Sequence, residues 1–148
     1  MKSWYKKITA EEVLLFYTIR ELTAEETAKG ITLNEYGNVP TGCDFIDKFA
    51  ALIRSLQWAT LKEYAETMGV TANELTTTIR ILTGQTAKYW IEYYMQLAIY
   101  DLMGNTTNNI ITVAKKLGFS QPSVLSHFCL YRLKIAPTEL RRKLKKRK

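Results

Sequence analysis

The sequence predicts an all-α fold: two helix-turn-helix subdomains joined by a long linker helix, after an N-terminal helical segment. Signatures of helix starts recur along the chain, and no run of alternating apolar and polar residues is long enough for a convincing strand. A helix-turn-helix pattern is present twice. The length of 148 residues suits one domain or two small ones.

The composition is that of a folded chain rather than a membrane-spanning or disordered one. Apolar residues make up 47% of the sequence and charged residues 24%. No apolar run approaches the roughly 18 to 20 residues of a membrane-spanning helix. Glu11 and Glu12 interrupt what would be the apolar stretch of a signal peptide. We therefore expect a cytoplasmic protein without a membrane partner.

Patterns for catalysis and metal binding are not found in the sequence. Cys43 and Cys129 lie 86 residues apart, which fits neither a disulfide framework nor a metal site. The one histidine, His127, has no serine, cysteine or carboxylate partner at a recognisable spacing. We expect no enzyme activity, no catalytic residue, no cofactor and no metal.

Helix starts are marked by threonine followed three residues later by glutamate. In this capping box each side chain bonds the backbone N–H of the other residue. The pairs are Thr9–Glu12, Thr23–Glu26, Thr60–Glu63 and Thr71–Glu74.

Helices are predicted throughout the chain, with a loop or short extended piece at 31–42. They lie near 10–22, 24–29, 43–56, 60–68, 72–82, 86–103, 109–117, 121–131 and 137–145. Gly104 is expected to end the 86–103 helix. The 43–56 helix is expected to bury one apolar stripe, formed by Phe45, Phe49, Leu52, Ile53 and Leu56.

An internal repeat predicts the double helix-turn-helix. Residues 61–71 recur 49 positions later as residues 110–120. Both segments carry apolar residues at i, i+3, i+4 and i+7, followed by a glycine, an apolar residue and a hydroxyl residue. One extra residue then enters the second copy, after which the apolar positions match at an offset of 50: Leu75, Ile79 and Ile81 with Leu125, Cys129 and Tyr131.

Each copy is predicted to form a helix, a three-residue turn and a second helix. Gly69 and Gly118 allow the left-handed backbone that the turn needs. Thr71 and Ser120 are the expected caps of the second helices. Pro122 falls in a first helical turn, where a backbone N–H would have no partner. The second helix of such a unit can enter a DNA major groove.

The second copy carries the most specific motif of the chain. It begins Val113-Ala114-Lys115-Lys116-Leu117-Gly118-Phe119-Ser120 and closes with Ile135-Ala136-Pro137-Thr138-Glu139-Leu140-Arg141. The first copy ends in Thr83-Gly84, and Trp90-Ile91 lies early in the long helix. With these motifs, residues 43–142 resemble the DNA-binding region of the AraC/XylS family of bacterial transcription regulators, in a form similar to that of Bacteroidetes members.

The resemblance implies that two recognition helices enter successive major-groove segments on one face of double-stranded DNA. It divides the chain into an N-terminal extension at 1–42, a first helix-turn-helix at 57–84, a linker helix at 86–103, a second helix-turn-helix at 105–140 and a basic tail at 141–148. The 42 residues ahead of the match are too few for the sensor barrel of the family, so we expect none.

The sequence departs from the family near the end of each recognition helix, where an aromatic and then a basic residue are usual. Ile79-Arg80 and Cys129-Leu130 occupy those positions, and Lys134 replaces a usual glycine. We expect Cys129 to be a small buried thiol, with Phe128 filling the volume of the missing ring.

Candidates for DNA contact are the exposed positions of the two recognition helices, which align with the base-reading positions of the family, and basic residues of the same region. Candidates for base contacts are Asn73, Thr76, Thr77, Gln121, Ser123, Ser126 and His127. Candidates for phosphate contacts are Arg80, Lys88, Arg132, Lys134, Arg141, Arg142 and Lys143. The polar helix positions can equally be ordinary solvated surface. Without an arginine placed for bidentate guanine contact, we expect specificity that leans towards A·T pairs.

The positive charge is concentrated at the C-terminus. Seven of the eight residues at 141–148 are basic, whereas residues 57–104 have a net charge of −2. A block of like charge is typical of a polyanion contact, here nucleic acid rather than membrane, or of a solubilising tail. We expect the second subdomain and this segment to supply most of the DNA affinity.

The leading functional hypothesis is a nucleoid-associated transcription regulator that binds specific sequences of double-stranded DNA. RNA polymerase or another regulator would be a further partner. One alternative is an accessory factor for recombination or mobile-element excision, and another is a degenerate helix-turn-helix module that binds proteins. Residues 1–42 either pack on the core or form a homodimer surface.

Overall fold

The computed structural model describes residues 23–30, 32 and 43–146, and every regular element in those ranges is helical. This confirms the all-α class. The helix predicted near 10–22, the Thr9–Glu12 cap and nearly all of the loop at 31–42 lie outside the described residues. None of the helices in the described ranges is long and apolar enough to cross a membrane.

The elements follow the order predicted from the sequence, and most boundaries agree within two residues. They are α1 (Ala24–Ala28), α2 (Asp44–Leu56), α3 (Leu61–Met68), α4 (Ala72–Thr83), α5 (Ala87–Asn105), α6 (Ile110–Lys116), α7 (Pro122–Phe128), the π-helical turn π1 (Cys129–Leu133) and α8 (Pro137–Lys146). The chain divides into two compact units, Met1–Ile91 and Glu92–Lys148, with the division inside α5.

Side-chain caps hold the starts of α1, α3 and α4, as predicted. Each threonine hydroxyl accepts the glutamate N–H, and each glutamate carboxylate accepts the threonine N–H, at 2.8 to 3.2 Å. These bonds satisfy amides that have no partner within the helix. The pairs are Thr23 with Glu26, Thr60 with Glu63, and Thr71 with Glu74.

The described core of the first unit is built by α2, α3 and α4, with α2 packed on α3 and α3 on α4. The rings of Phe49 and Tyr64 meet edge to face with centroids 5.9 Å apart. The buried Tyr64 hydroxyl donates to the carbonyl of Gln57. Burial, followed by the nearby Glu63 carboxylate, raises the pKa of Tyr64.

The buried stripe of α2 differs from the predicted one. Phe49 and Ile53 are buried as expected, but Ile46 and Ala50 complete the stripe. The remaining predicted members are only half-buried: Phe45, Leu52 and Leu56. Because apolar residues flank Phe49 and Ile53 on both sides, sequence periodicity could not decide which flank faces α3.

A buried threonine hydroxyl holds the turn between α4 and α5. Thr83 donates to the carbonyl of Ile79 at 2.8 Å and accepts the indole N–H of Trp90 at 2.7 Å. It also accepts the backbone N–H of Gln85 at 3.2 Å. Trp90 is buried in this arrangement. Thr83 thus joins the end of the second helix of the first unit to the start of α5.

In the second unit α6 packs on α7, and Phe119 and Phe128 lie with ring centroids 5.7 Å apart. Cys129 is fully buried, and burial raises its pKa to about 11. Its sulfur therefore stays a protonated thiol at neutral pH. The prediction of a small buried thiol beside a buried Phe128 is confirmed.

Two details of α7 correct the sequence prediction. The N-cap is Gln121 rather than Ser120, because Pro122 occupies the first helical position. The helix predicted to run to residue 131 ends at Phe128 and continues as π1. Over so few residues, apolar periodicity cannot distinguish i→i+4 from i→i+5 bonding.

The end of α5 also differs from the prediction. Gly104 lies inside the helix, which ends at Asn105. Gly104 is buried beside α8, and a Cβ there would lie at an ordinary van der Waals distance of 3.6 Å from the Leu144 side chain. Side chains satisfy the terminal carbonyls instead: Thr106 Oγ donates to Leu102 at 2.6 Å, and Arg141 donates to Leu102 and Met103 at 3.3 Å.

Residues with positive φ mark the ends of α2 and π1. Gln57 has φ 55° and ψ −127°, a conformation that strains any residue with a Cβ. Lys134 has φ 62° and ψ 26° and takes the position that corresponds to Gly84 of the first unit. The left-handed cap is therefore kept in both units, although only one of them has glycine there.

Replacing Gln57 by glycine is expected to raise the free energy of unfolding by about 1 kcal/mol, because relief of backbone strain exceeds the added entropy of the unfolded chain. Urea unfolding would measure the change. Gln96→Gly, inside α5, is the matched control and should lower stability by about 1 kcal/mol. Equal destabilisation by both changes would contradict the strain at Gln57.

Candidate nucleic-acid interface

The second helix of the first unit, α4, has one buried and one exposed face. Leu75, Ile79 and Leu82 are buried. On the opposite side Asn73, Thr77 and Arg80 are exposed and Thr76 is half-buried. The spacing i, i+3, i+4 and i+7 places these polar residues on one face. All the candidates predicted on this helix therefore lie on a single accessible surface, which we call the α4 face (Asn73, Thr76, Thr77 and Arg80).

The second unit repeats this arrangement on α7, with Leu125 and Phe128 buried. Gln121, Ser123 and His127 are exposed, and Ser126 is half-buried. Ser123 Oγ donates to Gln121 Oε1 at 3.3 Å, so two of the candidates already contact each other. We call this surface the α7 face (Gln121, Ser123, Ser126 and His127). Amides, hydroxyls and an imidazole on such a surface can bond the edges of bases.

The starts of the two helices differ in charge. In α4, Glu74 lies in the first turn, and the backbone N–H of Thr71 donates to its carboxylate at 3.1 Å. This bond, followed by the one to the Thr71 side chain, lowers the pKa of Glu74. The first turn of α7 has no acidic residue. A phosphate near the start of α4 thus meets a fixed negative charge that α7 does not carry.

Most candidates for phosphate contact are accessible. Lys88, Lys134, Arg142 and Lys143 are exposed, and Arg132 is half-buried. Arg142 forms a surface ion pair with Glu139 at 3.7 Å, which contributes little to stability. Lys134 Nζ lies 5.8 Å from the centroid of the Tyr131 ring.

Arg141 is half-buried, and its guanidinium donates to the carbonyls of Leu102 and Met103. A cation at the C-terminal end of a helix compensates the partial negative charge of the free carbonyls. The role that this geometry shows for Arg141 is structural. The predicted basic tail therefore begins inside α8, since residues 141–146 are helical.

Sequence reasoning missed two exposed lysines of the second unit. Lys115 and Lys116 lie in the last turn of α6, directly before the turn that leads into α7. They stand inside the motif at residues 113–120, where their charge was a visible signal. Their position beside the start of α7 makes them further candidates for phosphate contact.

The described residues include no group of three or more histidine, cysteine, aspartate or glutamate side chains that could hold a metal ion. A cavity of about 350 Å³ in the first unit has mainly apolar walls, with Lys88 and Glu63 as its charged residues. Its other lining residues are Trp58, Ala59, Thr60, Leu61 and Ile91.

Two helix-turn-helix units, each with a buried apolar seam and a polar second helix, define a double helix-turn-helix fold. The chain is similar in structure to the DNA-binding domain of AdpA, described as a global transcriptional factor in complex with a target DNA. The TM-score is 0.62 and the identity 19%, over 70% of this chain and 95% of that one.

It is also similar to a transcriptional regulator with an AraC-type DNA-binding domain from Chromobacterium violaceum. The TM-score is 0.54 and the identity 20%, over 68% of this chain and 91% of that one. The fold is thus that of an AraC-type DNA-binding domain, and neither neighbour is described as an enzyme. No protein-family model and no curated protein matches the sequence.

Replacing Glu74 by glutamine is expected to reduce the acid sensitivity of folding. Because its pKa is lowered on folding, Glu74 adds stability that is complete above its ordinary value near 4.5 and is lost as the pH falls through the lowered value. The wild type should therefore exceed Glu74→Gln in stability at pH 7, and the gap should narrow by pH 3.

Urea unfolding at the two pH values would measure this gap. Glu66→Gln, at an exposed position of α3 outside any cap, is the matched control. A gap between the wild type and Glu74→Gln that does not change with pH would show that the Thr71 bonds do not stabilise the charged form.

Proposed function

We propose that this protein regulates transcription by binding specific sequences of double-stranded DNA with α4 and α7 as recognition helices. One observation carries the proposal: in the fold of an AraC-type DNA-binding domain, the second helix of each unit buries an apolar face and exposes a polar one. The DNA complex of the AdpA domain, which has this fold, supports the same type of partner here.

The α4 and α7 faces supply the base contacts under this proposal. The amides of Asn73 and Gln121 suit the N6 and N7 edge of adenine, and the methyl groups of Thr76 and Thr77 suit thymine. His127 can donate to a guanine or to a phosphate. Ser123 and Ser126 bond either purine or pyrimidine edges. Together, these side chains of the α4 and α7 faces favour A·T-rich sites.

Phosphate contacts would come mainly from the second unit. Lys115 and Lys116 at the end of α6 join Arg132, Lys134 and the exposed residues of α8, whereas α4 carries Glu74 near its start. These basic residues of the second unit raise the affinity for DNA of any sequence and do not add specificity. The α4 face would then refine the choice of site.

The proposal extends to the organisation of the chain and to its cellular role. The parts are the two helix-turn-helix segments at 57–84 and 105–140, the linker helix at 86–103, the N-terminal extension at 1–42 and the basic segment at 141–148. Membership of the AraC/XylS family in a Bacteroidetes-like form, a nucleoid location and a contact with RNA polymerase or another regulator belong to the same proposal. A homodimer through residues 1–42 would add symmetry to the DNA site.

Selection of binding sites from a random duplex library at about 150 mM salt is the direct test, because this salt screens non-specific attraction. Two enriched motifs one helical turn apart are expected, since both recognition helices read bases. One motif would mean that a single unit reads DNA. No enrichment would contradict the proposal and favour a protein-binding module, which the net charge of −2 at 57–104 also suits.

Neutralising the basic segment should weaken binding equally for all sequences. Deleting residues 141–148 would also remove the bonds of Arg141, so Lys143→Gln with Lys145→Gln is the cleaner change, because both residues are exposed. The slope of log affinity against log salt should fall in magnitude by about 1.8 if both contact phosphates.

The matched control is Lys29→Gln with Lys62→Gln, which removes the same charge from exposed positions of the first unit. An equal effect of the two double variants would show that net charge, and not the position of the α8 lysines, sets the salt dependence.

A further inference from the structure

The exposed side of each recognition helix ends in large apolar side chains that the proposed base and phosphate contacts leave unused. Ile81, near the end of α4, is 56% exposed. Leu130 and Tyr131, in π1, are 51% and 67% exposed. A single exposed apolar residue is ordinary on a protein surface. Here such residues stand at corresponding places in two units.

Their places correspond through the internal repeat. Residue 81 matches residue 131 at the offset of 50 that relates the two units from Leu75 onward. At the same offset Arg80 corresponds to Leu130. The first unit therefore presents a basic and an apolar residue at this end, and the second unit presents two apolar residues.

The register places these residues on the proposed DNA-contacting faces. Ile81 follows Thr77 by four residues, so the two share a face of α4. Tyr131 follows His127 by the same spacing, and its exposure shows that the wider turn of π1 keeps it on the outside. The polar α4 and α7 faces thus continue into apolar surface.

We propose that Ile81, Leu130 and Tyr131 contact the 5-methyl groups of thymine bases in the major groove. This inference rests on the proposed function and names part of the sequence that each unit selects. Thymine is the one DNA base whose major-groove edge carries a methyl group. An apolar side chain against another base would leave a donor or acceptor without a partner.

The two units differ in how strongly they require thymine. Lys134 Nζ lies 5.8 Å from the centroid of the Tyr131 ring, a cation–π contact that places the ring beside the ammonium group of an exposed lysine. The ammonium can pair with a phosphate while the ring covers a methyl group. The first unit has Gly84 at the corresponding position and one large apolar side chain, Ile81, at this end of its recognition helix. The requirement is therefore stronger in the half-site of the second unit.

The test compares duplexes of the selected site that contain either thymidine or deoxyuridine, which pairs identically but lacks the methyl group. Wild-type protein is expected to bind the uracil duplex about fourfold more weakly for each methyl group that it contacts, the factor that corresponds to burial of one methyl group. Substitution of one half-site at a time shows which unit contacts which methyl groups.

Serine variants assign the effect to residues. Leu130→Ser with Tyr131→Ser should lose the discrimination between thymine and uracil in one half-site. Ile81→Ser should reduce it in the other by about fourfold for each methyl group that Ile81 contacts, because Thr76 and Thr77 stay in place. Ile111→Ser is the matched control, because Ile111 is 64% exposed on α6, outside the recognition helices. It should keep the full discrimination. Circular dichroism confirms that each variant is folded.

The outcomes separate this inference from the proposed function. Equal wild-type affinity for both duplexes overturns the thymine contact but leaves sequence-specific binding intact. Discrimination that is undiminished in both serine variants also overturns it and assigns the methyl contacts to other residues such as Thr77. Serine variants that bind thymine duplexes as tightly as the wild type overturn it in favour of a protein-binding surface. Failure of the wild type to prefer any sequence contradicts the proposed function itself.

Discussion

The packing of two short helices on each other is the constraint on which each unit depends. Ala65 in α3 and Ala114 in α6 are buried, and each of these helices packs on the second helix of its unit. A larger side chain at either position would hold the helices apart or force its neighbours off their rotamers. Once this seam is buried, the opposite face of the second helix has to be solvent-exposed. The polar α4 and α7 faces are therefore a consequence of how the seam is closed.

The two units keep this seam but begin and end their second helices differently. The start of α4 is held by a reciprocal cap that brings a carboxylate with it, whereas α7 starts at Pro122 and has no acidic first turn. At the other end, Gly84 and Lys134 both adopt the left-handed conformation, and only the lysine carries a Cβ that strains it. In the second unit the left-handed conformation of Lys134 costs backbone strain energy, but it places a positive charge at the end of π1. Such changes alter the electrostatics of a helix end while the packing of the seam is retained.

Local chemistry is what the sequence could predict. The caps at Thr60 and Thr71 and the turns at Gly69 and Gly118 depend on residues within a few positions of one another, and all four were predicted correctly. The candidate positions on the recognition helices followed from the family resemblance, and they lie on exposed or half-buried surface.

Features set by distant residues could not be predicted. Glycine commonly ends helices, but Gly104 lies inside α5 and is buried beside Leu144, forty positions later. The positive charge of Arg141 indicates a phosphate contact, but its guanidinium donates to backbone carbonyls that lie 38 and 39 positions earlier in the chain. The buried stripe of α2 likewise depends on the helix that it meets. Only the tertiary structure decides such cases.

The reactivity of the buried thiol of Cys129 can report transient opening of the second unit. A thiol reacts as its thiolate, and burial both raises the pKa of this sulfur to about 11 and shields it from reagent. Alkylation at neutral pH then requires a transient opening of the unit, so its rate measures the free energy of that opening. The other cysteine, Cys43, lies in the first unit and is partly accessible. Each unit therefore carries one cysteine, and mass spectrometry of the two cysteine-containing peptides can follow their modification separately in a single sample.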